Sequence, residues 1–150
     1  MSGFWRNWLM AWCGSVVLFG AVLVGGGFEA TSGPVRLIFG FLDGPMPLDL
    51  NAQMRFSLAL MGAVSIGWAV TAAGMIQAGL LLGERGRPVW LWLTAGVLTW
   101  FIIDTPMSIA TGYGLNALPN LFLLVTFLLP ILRSGVLRAP RHGEAGDPKG

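Results

Sequence analysis

At 150 residues, with 55% of positions hydrophobic and 11% charged, the chain is too apolar for an ordinary soluble domain and too short to carry a large one beside several membrane spans. Its formal net charge of +2 is small and gives no evidence of nucleic-acid binding, since membrane topology explains the basic residues better. Cys13 is the single cysteine and His142 the single histidine, so a disulfide framework, a thiolate metal site, haem ligation, zinc coordination and histidine-based nucleophilic catalysis all lack their residues within the membrane.

Four stretches are long and apolar enough to cross a bilayer: residues 8–28, 56–82, 89–109 and 117–132. A hydrocarbon core about 30 Å thick needs roughly 20 helical residues. The first and third match it, the second has length to spare for tilt, and the fourth is short, which sets Asn116 and Asn120 at or below the interface where that helix begins. Gly and Pro are abundant, as they are in membrane spans, where neighbouring helices satisfy freed backbone groups. The expected fold is all-α: a polytopic membrane four-helix bundle over residues 1–138, followed by a disordered cytoplasmic tail over 139–150. Arg6 precedes the first apolar run as it would in a signal peptide. The run is longer than a usual h-region and lacks a clear A-x-A site, so it reads as a retained first helix.

Orientation follows from the basic residues. If the spans alternate, Arg6, Arg85, Arg87, Arg133, Arg138, Arg141 and Lys149 fall on one side, and only Arg36 and Arg55 on the other. The positive-inside rule then places both termini in the cytoplasm and the 29–55 loop outside. Trp5, Trp8 and Trp12, and likewise Trp90 and Trp92, cluster where spans meet the cytoplasmic interface, as amphipathic indoles prefer. In the outer loop, Ser32-Gly33-Pro34 reads as a cap and a helix-starting proline, opening a short apolar helix over 35–42 that ends before Asp43-Gly44-Pro45. That segment is too short to cross the membrane and too apolar to be solvated, so it is expected to lie on the outer interface, either covering helix ends or as a lid over a cavity. Asp49 and Asn51 are candidate caps for the second span.

On the second span, Ala59, Ala63, Gly67, Thr71, Gly79 and Gly83 recur at multiples of four and include a GxxxG pair. Helix association in lipid depends on close backbone approach over small residues, so this face is expected to pack inside the bundle, or else to form a homodimer or a contact with another membrane protein through Gly67, Gly79 and Gly83.

The sharpest signal is polar. Asp104 is an acid set inside apolar helix, where a charge costs roughly 2.5 kcal/mol or more. It shares one helix face with Trp100 and Ser108, four residues to either side, and after the turn at Gly112-Tyr113-Gly114 come Asn116 and Asn120, also four apart. A tight antiparallel hairpin sets Ser108 level with Asn116, and Asp104 level with Asn120. The candidate cluster is Asp104, Ser108, Asn116 and Asn120, with Arg55 as a charged partner reaching inward from the outer start of the second span. Plainer roles exist for each: Asn116 as the N-cap of the fourth helix, Thr105 or Ser108 repairing the Ile102 carbonyl that Pro106 frees, and Asp104 fixing how the last two helices pack.

The stretch WFIIDTPMSIATGYGLNALPN, from Trp100 to Asn120, with Gly62-Ala63 and Gly67-Trp68 on the second span, resembles a group of small four-helix bacterial membrane proteins of uncharacterised activity that carry W-F-x-x-D-[ST]-x-x-S-x3-G-x3-N-x3-N in their C-terminal hairpin. The resemblance covers about half the chain; Pro106 has no counterpart in that pattern. It implies a bundle and a bacterial inner-membrane setting, and no activity. No phosphate-binding or dinucleotide fingerprint is present. No cofactor, metal or nucleic acid is expected as a partner beyond the lipid bilayer, and no enzymatic activity. Two functions remain: a structural or accessory membrane component, or a small transporter or binder of a lipophilic or cationic ligand in an outer cavity between the second, third and fourth spans, with Asp104 as the polar contact.

Overall fold

The computed structural model describes residues 1–138, so the tail expected to be disordered over 139–150 lies outside the described residues. The chain forms α1 (Gly3–Gly25), α2 (Gly33–Leu42), α3 (Ala52–Leu81), α4 (Arg87–Ala110) and α5 (Ala117–Ser134), joined by short 3-10 turns except between α2 and α3, where residues 43–51 are irregular. Four of the helical segments are long and apolar enough to span a membrane, and the chain is a multi-pass all-α bundle. The four spans surround a core of Trp12, Val16, Ala69, Ile76, Trp90, Val97 and Phe127, drawn from all of them.

Successive spans are antiparallel, and the closest approach is between α1 and α3. A Cβ on Gly62 would lie 2.4 Å from the Gly20 carbonyl oxygen, and one on Gly20 would lie 2.8 Å from that of Gly62. The two backbones therefore touch where neither helix carries a side chain, the arrangement lipid-embedded helices need for close van der Waals packing. This corrects the small-residue face expected from sequence. Gly67 and Gly83 have nothing within 4 Å of a built Cβ, and Ala63 and Thr71 are exposed. Gly79 does pack inside, beneath the Trp90 ring.

The reason is angular. Steps of four residues advance a helix by about 40° beyond a full turn, so a stripe at multiples of four winds around it. The buried positions of α3, Leu58, Gly62, Ala69, Ala72, Ile76 and Gly79, instead keep the spacing of about 3.5 that holds one seam on its partners.

Indoles expected at the interface are also drawn inward. Trp90 is 1% exposed and Trp12 5%. Trp8 Nε1 donates to the Thr126 carbonyl at 2.8 Å, and Trp12 Nε1 to the Leu123 carbonyl at 3.0 Å. Pro130 has no N–H to give its i−4 carbonyl, which is that of Thr126. The Trp8 indole occupies the acceptor that the proline frees, so a local break in α5 becomes a tie between α1 and α5.

At the opposite end, α2 lies against the bundle through a small cluster of Leu23, Val35, Leu50 and Leu58. Asn51 caps α3, its Oδ1 accepting from the Met54 N–H at 3.0 Å. Ser32 does not cap α2 with its side chain; it is buried, and its hydroxyl donates to the Glu29 carbonyl at 2.9 Å.

The turn after α2 is keyed to the α4–α5 hairpin. α4 ends in a Schellman motif: Gly112 adopts φ +88°, its N–H donates to Ile109, and the Tyr113 N–H donates to Ser108. This turns Tyr113 onto Gly44, where a Cβ would lie 2.0 Å from the tyrosine ring, and the same ring meets Phe39 edge-on at 6.0 Å. Gly44→Ala is therefore expected to displace the 43–51 segment and raise its hydrogen-exchange rate, and Tyr113→Ala in the same chain should restore protection by removing the clash. Unchanged exchange in Gly44→Ala would show that the ring contact does not hold the loop.

Candidate functional site

Asp104 lies on α4 six residues before Ala110, about 9 Å from that helix end. The hairpin brings the second helix to it as the spacing predicts. Asn120 Nδ2 donates to Asp104 Oδ2 and, at 3.1 Å, to Thr105 Oγ1. Asn116 Nδ2 donates to Ser108 Oγ at 2.9 Å and to the same Asp104 Oδ2 at 3.2 Å. Two rungs, one helical turn apart, thus cross the α4–α5 seam, and one carboxylate oxygen accepts from both.

The elements make this arrangement by simple means. Residues 104, 108 and 105 share a side of α4 because i, i+4 and i+1 span about 100° of helix. The short 3-10 turn Gly114–Asn116 starts α5 immediately, so Asn116 and Asn120 enter at the depths of Ser108 and Asp104. Asn120 is 5% exposed, while Asp104, Thr105, Ser108 and Asn116 are half-buried.

Three expectations change. Asn116 makes no side-chain cap for α5, because its carboxamide is turned across the seam to Ser108 and Asp104. The hydroxyls of Thr105 and Ser108 receive the carboxamides and are not hydrogen-bonded to the Ile102 carbonyl. Arg55 does not belong to the cluster: it pairs with Glu29 and donates to the Gly26 carbonyl at 3.3 Å, and Arg36 joins Glu29 at 3.3 Å. An acid beside the C-terminus of α1, where free carbonyls add negative potential, outcompetes one on another seam.

No family model, curated protein or solved structure matches this chain. Its geometry alone therefore bears on its function.

One groove of about 190 Å³ lies away from this cluster. It lies between α1 and α5 and is lined by Trp8, Ala11, Trp12, Ser15, Phe122, Leu123 and Thr126. That places it toward the end of the bundle carrying the N-terminus. Among the described residues no group of three or more His, Cys, Asp or Glu is placed to hold a metal. Cys13 is buried in the core between Trp12 and Val16.

The contact of Tyr113 with Gly44 and Phe39 near the site was not legible in sequence. Glycines and a tyrosine in two turns mark tight geometry, but nothing in a single chain pairs turns 69 residues apart.

Proposed function

We propose that the protein is a structural or accessory component of a bacterial cytoplasmic membrane, whose α4–α5 hairpin is pinned at depth by the Asp104 cluster. The observation carrying this reading is that Asp104 Oδ2 accepts from carboxamides of its own hairpin, at a seam between adjacent helices. A carboxylate so engaged specifies register and spacing between two helices whose apolar faces alone would slide. Gly67, left open on an exposed face of α3, leaves room for a contact with another membrane helix or a second copy of the chain.

The test is genetic. Asp104→Asn, which keeps an amide oxygen as acceptor, should accumulate in the membrane and restore the growth or envelope properties of a deletion strain. Normal accumulation without rescue would overturn the structural role, because an ionisable group would then be needed for something other than the fold.

Both termini facing the cytoplasm is part of the same reading. Arg6, Arg85, Arg87, Arg133 and Arg138 lie at the end of the bundle where α1 begins and α5 ends, and Arg36 and Arg55 at the other. Met46→Cys should react with a membrane-impermeant maleimide on intact cells and Glu84→Cys only after permeabilisation, both positions being exposed. The reverse pattern inverts the orientation.

A further inference from the structure

The chain supplies Asp104 with hydrogen bonds but with no counter-charge. Among the described residues the two ion pairs both belong to Glu29, one with Arg36 and one with Arg55. Neutral carboxamides stabilise a carboxylate without cancelling its charge, and an uncancelled charge at membrane depth is costly.

The groups around it are all hard oxygen donors or become so by one rotation. Asn120, although 5% exposed, uses only Nδ2 in its two bonds, and its Oδ1 accepts from no group among the described residues. The Oδ1 atoms of Asn116 and Asp104 are likewise without a donor among those residues. The terminal torsion of asparagine is broad and nearly two-fold, so a half-turn exchanges amide nitrogen and oxygen on the same positions. After that half-turn a carbonyl oxygen stands 2.9 Å from Ser108 Oγ and 3.2 Å from Asp104 Oδ2, and a second stands 3.1 Å from Thr105 Oγ1. Oxygens at right angles on one cation, with metal–oxygen bonds of about 2.4 Å, are roughly 3.4 Å apart. Three of these contacts would need to open by a few tenths of an ångström, and the Asn120–Asp104 pair, at 2.5 Å, by about 0.9 Å, which the Asn120 side chain must supply by swinging away from the carboxylate.

We propose that Asp104, Thr105, Ser108, Asn116 and Asn120 form a binding site for a single monovalent alkali cation of sodium's size. All-oxygen ligation selects a hard cation over zinc or copper. One carboxylate matches one positive charge, whereas divalent sites of this kind gather several. The bound ion neutralises Asp104 and ties α4 to α5 through five oxygens; without it, the carboxamides turn their N–H groups to the same acceptor and hold the hairpin more weakly. The site rests on the same cluster as the structural reading, but the two fail separately.

The experiment is thermal unfolding of the purified full-length protein in detergent, at equal ionic strength in sodium, potassium or choline chloride. Sodium should raise the midpoint saturably by several degrees over choline, and potassium by less. Asp104→Asn should lose the sodium response, and Ser108→Ala and Thr105→Val should each raise the half-saturating sodium concentration several-fold. Equal midpoints in sodium and choline overturn the cation site, as does an undiminished sodium shift in Asp104→Asn. If Asp104→Asn does not fold, unchanged half-saturation in both hydroxyl variants overturns it. An Asp104→Leu protein as stable as wild type in choline overturns the pin instead, and leaves the sodium result standing on its own.

Discussion

Gly62→Leu is expected to be among the most damaging single substitutions in this bundle, while Gly67→Leu, five residues along the same helix, should be nearly silent. A Cβ at residue 62 meets backbone, 2.4 Å from the Gly20 oxygen and 2.6 Å from the Val24 nitrogen, and cannot be relieved by rotating a side chain. The helices must separate, losing the contacts that close approach provides. Overpacking ordinarily costs about 1–3 kcal/mol, and a backbone clash belongs at or above the top of that range. At residue 67 the added side chain enters open space on an exposed face. Gly79→Leu should resemble Gly62→Leu, since its Cβ would lie 2.7 Å from the Trp90 ring. Thermal unfolding in one detergent ranks the three variants. Equal tolerance of all three would remove the claim that α1 and α3 pack through Gly20 and Gly62.

Asp104→Leu should destabilise the protein by about 2 kcal/mol, and Asp104→Asn by well under half of that. Leucine removes the acceptor used by both Asn116 and Asn120, and each stranded donor costs about 1–3 kcal/mol in a dry environment. Polar side-chain contacts within membrane bundles average only about 0.6 kcal/mol, because the unfolded helices find other partners in lipid, and this pulls the expected total down. Two donors on one oxygen pull it back up. The amide of Asp104→Asn retains an acceptor oxygen for at least one of them. Equilibrium unfolding of the two variants measures the difference, and the double variant with Asn120→Leu isolates the pair term. Full stability of Asp104→Leu would mean that the hydrogen bonds across the seam contribute nothing to the fold.

The spans, their order and the short helix in the first long loop were legible because each depends on local sequence. About 20 apolar residues cross a bilayer whatever surrounds them, and Pro34 and Gly112 act on their own stretch of backbone. The core of the polar site was legible for a related reason. α4 and α5 are joined by a tight turn, so helical rise alone sets Asn120 level with Asp104, and Asn116 level with Ser108.

What only the tertiary structure decided involves partners distant in sequence. Arg55 was within reach of Asp104 by depth alone, but its azimuth around α3 and the nearer Glu29 took it elsewhere. Asn116 was a cap by residue type and became a bridge once α4 lay beside it. The seam of α3 was misread because small residues recur on several faces of a long helix, and only the position of α1 selects which of them must be glycine. A sequence sets how far along a helix each side chain sits. The angle at which it meets another helix depends on how all four pack together, and that angle is a property of the assembled bundle.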